Sequence, residues 1–217
     1  MNSDVKVIQP RSVGWLEKKL DQEEIDYLWK RIEKSGGNHK GNLAGHISAS
    51  KTLTDEDDWF FNRVILPLCL QYNESFGAQS DALLLDILMS TKYESFEYFL
   101  KSMWVNYQKQ NEFNPLHNHG GLYSFVIWMK IPTKHFIQNK NSLAKESNSR
   151  VISSFEISYV DILGNIRQYP YRMNPNVEGT MLFFPSKLNH QVYPFYDCDE
   201  DRISISGNVS VNTKELL

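Results

Sequence analysis

Three histidines and one arginine stand in two short stretches of this chain. The first stretch is Asn114-Pro115-Leu116-His117-Asn118-His119-Gly120-Gly121. The second runs from Pro185 to His190 and on to Arg202-Ile203-Ser204. Imidazole is a ligand for iron, zinc, copper and nickel. Residues two apart on a strand share a face, so His117 and His119 can reach one ion from a strand end. Gly120-Gly121 then lets the backbone turn without a side-chain clash. A third ligand has to come from elsewhere in the fold, and His190 is the best candidate. Three protein ligands on one side leave open positions for substrate and oxygen. A ligating histidine must be neutral, so such a site is expected to lose metal as pH falls through the imidazole range.

Arg202 and Ser204 also share a strand face. A planar guanidinium grips a carboxylate through two hydrogen bonds, and a neighbouring hydroxyl can add a third. The competing reading pairs Arg202 with Asp199 or Asp201 at the surface. His46 and His135 read as structural or solvated. Lys187 could assist an anionic substrate or simply be solvated.

Elements must bring these residues together. Residues 14–35 carry Trp15, Leu16, Leu20, Ile25, Leu28, Trp29 and Ile32 near helical spacing, and Gly36-Gly37 ends the run. Residues 38–53 read as an ordered loop. A second helix is expected from Thr54, with acidic residues in its first turn and a kink or break at Pro67. Strands are expected at 83–89, 102–107, 123–129, 151–161, 166–171, 180–184 and 202–211, with a hairpin turn at Leu163-Gly164-Asn165. The polar stretch 133–149 reads as an insertion. It and the loop 36–53 are candidate lids over a substrate. Helices first and strands afterwards suggest helices packed on an antiparallel double-sheet β-fold.

Composition bounds the function. The 217 residues suit one domain, with helical support over 1–80 and a β core over 81–217. A net charge of −3 with no basic block gives phosphate-driven nucleic-acid binding little support. Cys69 and Cys198 read as a core thiol and a surface thiol. The start of the chain lacks the apolar core of a signal peptide, and no apolar run is long enough for a membrane span. The expectation is a soluble cytoplasmic protein. A homodimer through the helical third is one arrangement the sequence allows.

Several pieces together resemble the iron(II)- and 2-oxoglutarate-dependent oxygenases, closest to their prolyl-4-hydroxylase-like branch and to a bacterial and phage group within it. They are Trp104-Val105-Asn106-Tyr107, Asn114-Pro115-Leu116-His117-Asn118-His119, Ser124-Phe125-Val126-Ile127, Gly179-Thr180-Met181-Leu182-Phe183-Phe184-Pro185-Ser186, His190 and Arg202 to Asn208. The resemblance is strongest over residues 102–131 and 178–211. It implies a double-stranded β-helix, a cupin-like jelly-roll, with iron between its sheets. His117 and His190 match the two histidine ligands. Arg202 matches the basic residue that binds the distal carboxylate of 2-oxoglutarate, with Ser204 as its companion. Tyr107 matches a tyrosine that often reaches the co-substrate. The family usually has Asp or Glu two residues after the first histidine, whereas this chain has His119.

The resemblance also implies the reaction. Fe(II), 2-oxoglutarate and O2 would yield succinate, carbon dioxide and a hydroxylated substrate, which could be a peptidyl side chain or a small molecule. Trp104, Phe125, Trp128 and Phe184 are candidate cavity walls. Two alternatives stay open: a three-histidine cupin-type dioxygenase that does not use 2-oxoglutarate, and a non-catalytic metal-binding jelly-roll protein.

Overall fold

A computed structural model describes residues 6–8, 14–76, 93–141 and 143–215. Among these, strands form two antiparallel sheets. The large sheet has seven strands in the order β1 (Leu16–Lys19), β9 (Thr180–Pro185), β6 (Tyr123–Lys130), β11 (Arg202–Glu215), β4 (Tyr93–Gln108), β3 (Ala49–Leu53) and β2 (Gly36–Asn38). The small sheet is ordered β5 (Asn114–His117), β10 (Asn189–Val192), β7 (Ser154–Val160) and β8 (Ile166–Arg172). From β4 onward the chain crosses repeatedly between the sheets. β4, β6, β9 and β11 lie in the large one, and β5, β7, β8 and β10 in the small one. This is the winding of a double-stranded β-helix, so the jelly-roll expectation holds.

Alternation along the strands separates two apolar layers. Phe125 and Ile127 of β6 face the helices, with Met103, Val105, Met181, Phe183, Ile205 and Val209. Val126 and Trp128 face the small sheet, where they meet Phe155 and Ile157. Helix α1 (Gln22–Glu33) contributes Leu28 and Ile32 to the outer layer, and α2 (Leu66–Phe76) contributes Leu68, Cys69 and Tyr72. The helices thus cover one face of the large sheet and leave the other to build a site. Among the described residues, no helix is long and apolar enough to cross a membrane.

The N-terminal third departs from its expected reading. Residues 16–19 form an edge strand, not the start of a helix; their exposure alternates along β1, which pairs with β9. α1 begins where Asp21 and Glu24 make a reciprocal capping box: Asp21 Oδ1 accepts the Glu24 N–H, and Glu24 Oε2 accepts the Asp21 N–H, each at 2.9 Å. The expected loop 38–53 contains β3, hydrogen-bonded along β4. Three strands of the large sheet therefore come from residues before 80, and that position is no boundary within the sheet. The second helical segment starts after Asp58 rather than at Thr54. Asp55 accepts the Phe60 and Phe61 N–H groups from below. Pro67 neither breaks nor ends it. The turn before it, Phe61–Ile65, widens to a π-turn in which the Leu66 N–H reaches Phe61 O, absorbing a residue that has no N–H to give.

The remaining strands fall close to where they were expected, and Asp161 closes the 163–165 hairpin by accepting the Gly164 N–H, with Gly164 at φ +82°. The expected strand 83–89 lies outside the described residues. The stretch 133–149 is not a free insertion at its start. A helical turn, His135–Gln138, is tied down there, and Thr133, His135, Gln138 and Asn139 are buried. Cys69 is buried and Cys198 half-buried, both as free thiols. Burial pushes the Cys69 thiol up to about 12.

Candidate active site

The short strands β5 and β10 put His117 and His190 directly opposite one another. Their ring centroids are 4.3 Å apart. His119 reaches the same point from beyond the end of β5, with its ring 5.0 Å from each of the other two. Two features fix that reach. The His119 N–H donates to Ser186 O at 2.8 Å, and Gly121 turns the chain at φ +115°, where a Cβ would stand 2.8 Å from Val209 O. Gly121 is therefore required by both its conformation and its contact, whereas a Cβ at Gly120 would meet nothing within 4 Å.

One nitrogen from each ring lies within 4.8 Å of the others, and His119 Nε2 and His190 Nε2 are 3.2 Å apart. Metal–imidazole bonds of about 2.0–2.1 Å separate adjacent ligand atoms by about 3 Å, so the set can close on one ion with small side-chain shifts. The tautomers suit this. His117 Nδ1 faces Pro115 O at 2.7 Å, and His190 Nδ1 faces Leu188 O at 2.9 Å. With Nδ1 donating to a carbonyl, Nε2 is left as the lone-pair nitrogen. Among the described residues, no Asp or Glu joins the cluster.

All three histidines are held below the ordinary histidine range. Burial dominates for each. It pushes His119 down to about 4 and His190 to about 3, with the neighbouring His117 adding to both. His117 is lowered by burial against an opposing hydrogen bond to Pro115. The protonation expected near the usual imidazole range is therefore displaced to lower pH.

The opposite wall belongs to the large sheet. Trp104, Asn106 and Gln108 of β4 stand across from Ser206, Ser204 and Arg202 of β11, and all six line the same cavity as the histidines. Arg202 is 2% exposed. Its Nη2 donates to Ser153 Oγ at 2.6 Å and its Nη1 to Gln108 Oε1 at 3.4 Å, while Nε has no partner. The guanidinium lies over the Phe195 ring, 4.8 Å from its centre. It pairs with neither Asp199 nor Asp201, so the surface ion-pair reading is set aside. Burial pushes the group down to about 9, which still leaves it cationic at neutral pH.

Tyr107 is a correction. Even-numbered positions of β4 face the cavity, so Tyr107 points the other way and packs half-buried against the helix-side core, with Nζ of the exposed Lys51 5.8 Å from its ring centre. Trp104, Phe125, Trp128 and Phe184 all line the cavity, although the Phe125 ring itself packs near Phe60 on the helix side. Lys187 lines a separate cleft with Trp15 and Tyr159. Of the two candidate lids, the 36–53 segment contributes Asn42, Leu43, Ala44 and Ile47 to the cavity, and none of the described residues of the 133–149 segment lines it. Ser153, Gln108 and Asn106 were not foreseen. The alternation of β4 with Trp104 at one inward position could have pointed to the last two.

Residues 102–208 match the model of a family described as "Putative 2OG-Fe(II) oxygenase". Among solved structures, the chain is similar to a Pseudomonas putida prolyl-4-hydroxylase, with 13% identity over 95% of each chain and a TM-score of 0.43. It is also similar to an oxidoreductase of the 2OG-Fe(II) oxygenase family from Burkholderia pseudomallei, with 12% identity over 88% of this chain and 80% of that one and a TM-score of 0.45. No curated protein matches the chain. The family match spans His117, His119, His190, Arg202 and Ser204, so over these residues the chain is similar to the 2OG-Fe(II) oxygenases, a family whose cofactors are Fe(II), 2-oxoglutarate and O2.

Proposed function

We propose that this oxygenase holds Fe(II) with His117, His119 and His190, binds the distal carboxylate of 2-oxoglutarate with Arg202 and Ser204, and hydroxylates a substrate with release of succinate and carbon dioxide. The observation that carries this is the state of Arg202. A guanidinium this deeply buried, with no carboxylate beside it and Nε unpartnered, is costly unless an anion completes it. It opens into the one cavity that also holds the three histidines. That cavity measures about 130 Å³. A buried water needs about 10–15 Å³, so there is room for roughly ten non-hydrogen atoms, about the size of 2-oxoglutarate.

Each residue has a task in this reading. Pro115 O and Leu188 O hold His117 and His190 in the tautomer that aims Nε2 at the ion. Arg202 sets the orientation of the dicarboxylate along the large sheet, with its keto-acid end toward the histidines. Trp128, Phe155 and Phe184 exclude water around the reacting centre. Bound iron supplies the activation of dioxygen and of the keto acid.

His119 favours the three-histidine cupin-type dioxygenase as the second reading, because it stands where the family usually has a carboxylate. That reading gives Arg202 nothing to bind. Anaerobic addition of Fe(II) and then 2-oxoglutarate to metal-free protein separates them. A visible charge-transfer band requiring both additions supports the first reading, and iron binding with no response to 2-oxoglutarate supports the second.

A further inference from the structure

Arg202 has a long side chain, and the β4–β11 ladder fixes its backbone without fixing its guanidinium. Three groups hold the tip. The Phe195 ring lies against it, 4.8 Å away. Gln108 Oε1 is turned toward it, because Gln108 Nε2 donates to Glu112 O at 2.6 Å, but the contact with Nη1 is a long 3.4 Å. Ser153 Oγ accepts from Nη2 at 2.6 Å and is, among the described residues, the one short polar tether. Ser153 is 0% exposed and does not line the cavity, so it acts on the site only through Arg202.

The backbone at Ser153 is unusual. Its φ is +58°, in the left-handed region that a side chain disfavours. Among the described residues, the other non-glycine residues there are Asp57, Asp58, Asn111 and Asp197, all exposed and all of the types that tolerate it. Ser153 is the buried one. Its N–H donates to Pro194 O at 2.9 Å and its carbonyl accepts from the Met173 N–H at 3.1 Å, so the turn is locked from both sides. Glycine would sit there without strain. What serine adds is the hydroxyl, which meets Arg202 and, at 3.1 Å, Thr133 Oγ1. Strain kept at such a position points to a use for the side chain that requires it.

The tether also crosses between the sheets. Ser153 stands immediately before β7, and β7 carries Ile157, which pairs with His190. The cation of the large sheet is thereby set against the strand that neighbours a candidate metal ligand. A 2-oxo diacid held at both ends must match the span from the histidines to the guanidinium. We infer that Ser153 is a positioning residue that fixes this span, and that it thereby selects the five-carbon diacid over longer ones. This rests on the 2-oxoglutarate reading above. A guanidinium without this tether turns about its stem, which spoils the match of its planar fork to the carboxylate and lets a longer diacid in.

The test is an anaerobic titration of Fe(II)-loaded protein with three keto acids, read by the visible band. They are 2-oxoglutarate, 2-oxoadipate, which is one methylene longer, and 2-oxopentanoate, which lacks the distal carboxylate. Ser153→Ala removes the hydroxyl and keeps the strain. Ser153→Gly removes both, so it folds without a backbone penalty. Each variant is expected to keep Fe(II) affinity and 2-oxopentanoate binding within about threefold of the original. Each should bind 2-oxoglutarate at least about tenfold more weakly, the scale of one hydrogen bond to a charged group. The preference for 2-oxoglutarate over 2-oxoadipate should fall at least about fivefold. Added to Arg202→Met, the same changes should alter 2-oxoglutarate binding less than about twofold. A purely structural serine would weaken 2-oxoglutarate and 2-oxopentanoate alike, with or without Arg202. The inference is overturned by that pattern, by 2-oxoglutarate binding within about threefold of the original in a folded variant, or by an unchanged preference for chain length. If the original protein gives no response to 2-oxoglutarate, the co-substrate reading fails and the inference falls with it. A response in the original that the variants leave unchanged removes the inference alone.

Discussion

Arg202→Met offers the most demanding test of the proposed co-substrate site, because it predicts opposite effects on binding and on the empty protein. Methionine keeps much of the side chain's length and removes the charge. In the proposed complex, Arg202 makes a charge-assisted contact with a carboxylate in a site that is 2% exposed. Truncating one partner of such a buried pair costs about 2–5 kcal/mol, which is about 30- to 4000-fold in Kd. In the empty protein the balance differs. Arg202 keeps hydrogen bonds to Ser153 and, at a long 3.4 Å, to Gln108, but it leaves Nε unmatched and has no counter-ion. Replacing an uncompensated buried charge with an apolar side chain is often neutral or stabilising. Arg202→Met should therefore melt at or above the temperature of the original protein when both are free of metal and co-substrate. It should then lose the charge-transfer band at 2-oxoglutarate concentrations that saturate the original. Anaerobic absorbance titration and thermal denaturation of the same two samples measure both effects. If the variant binds 2-oxoglutarate within tenfold of the original, Arg202 is not the carboxylate grip. If the empty variant is destabilised by more than about 2 kcal/mol, the arginine is a structural element held by Ser153 and the cavity is not waiting for an anion.

Four further outcomes are expected. His117→Ala or His190→Ala should lower Fe(II) affinity at least about tenfold by anaerobic calorimetry, whereas His119→Asp, which restores a charged ligand, should keep it within about tenfold; equal losses in all three would remove the distinction. Because burial holds His119 near 4 and His190 near 3, protons compete for these ligands only as pH falls toward those values. Metal affinity should thus change less than about threefold between pH 7.5 and 6.5, and a steep loss across the ordinary imidazole range would contradict the burial argument. Gly121→Ala forces a side chain into a φ of +115° and against Val209 O; it should cost roughly 2–3 kcal/mol and lower the melting temperature by roughly 5–10 °C, and an unchanged melt would mean the turn can relax. A thiol reagent at pH 8 should label Cys198 in the folded protein and spare Cys69, whose thiol burial has pushed up to about 12.

The sequence showed those parts of the fold whose residues obey one local period. β6, β9 and β11 are legible because strands buried on both faces, or with a clean alternation, leave an apolar signature. β5 and β10 are not, since they are four residues long and spend their inward positions on His117 and His190 instead of apolar groups. β1 was hidden because Trp15, Leu16 and Leu20 happen to continue the helical spacing of α1; only the capping pair Asp21 and Glu24 marks where the helix begins. The histidine triad proposed to hold the metal is readable from residue type, because few side chains besides histidine suit such a site. Tyr107 was misplaced by one position of strand parity, which no spacing from His117 can reveal. Ser153 was invisible for another reason. It lies 49 residues from Arg202 in the chain, and it meets the guanidinium only because β7 follows it into the opposite sheet.

That separation has a consequence for how the site can change. His117 and His190 belong to the small sheet and find each other through the β5–β10 pairing, while Arg202, Ser204, Trp104 and Asn106 belong to the large sheet and are fixed by the β4–β11 register. Among the described residues, no β-ladder joins the two groups, since each strand pairs only within its own sheet. In the proposed function, metal affinity and co-substrate affinity are thus set by separate frameworks that meet across a cavity. Distant sites that share no partners add in their effects, so Arg202→Met should leave metal binding nearly intact, and the long β4–β11 ladder should hold Asn106 and Trp104 in place when a histidine is lost. The proposed site is in this sense modular. A chain of this fold can keep its metal and lose 2-oxoglutarate through one substitution in β11, which is the change that would turn the first functional reading into the second. In this chain that position holds a buried arginine with an unmatched Nε, the residue that the second reading has no use for.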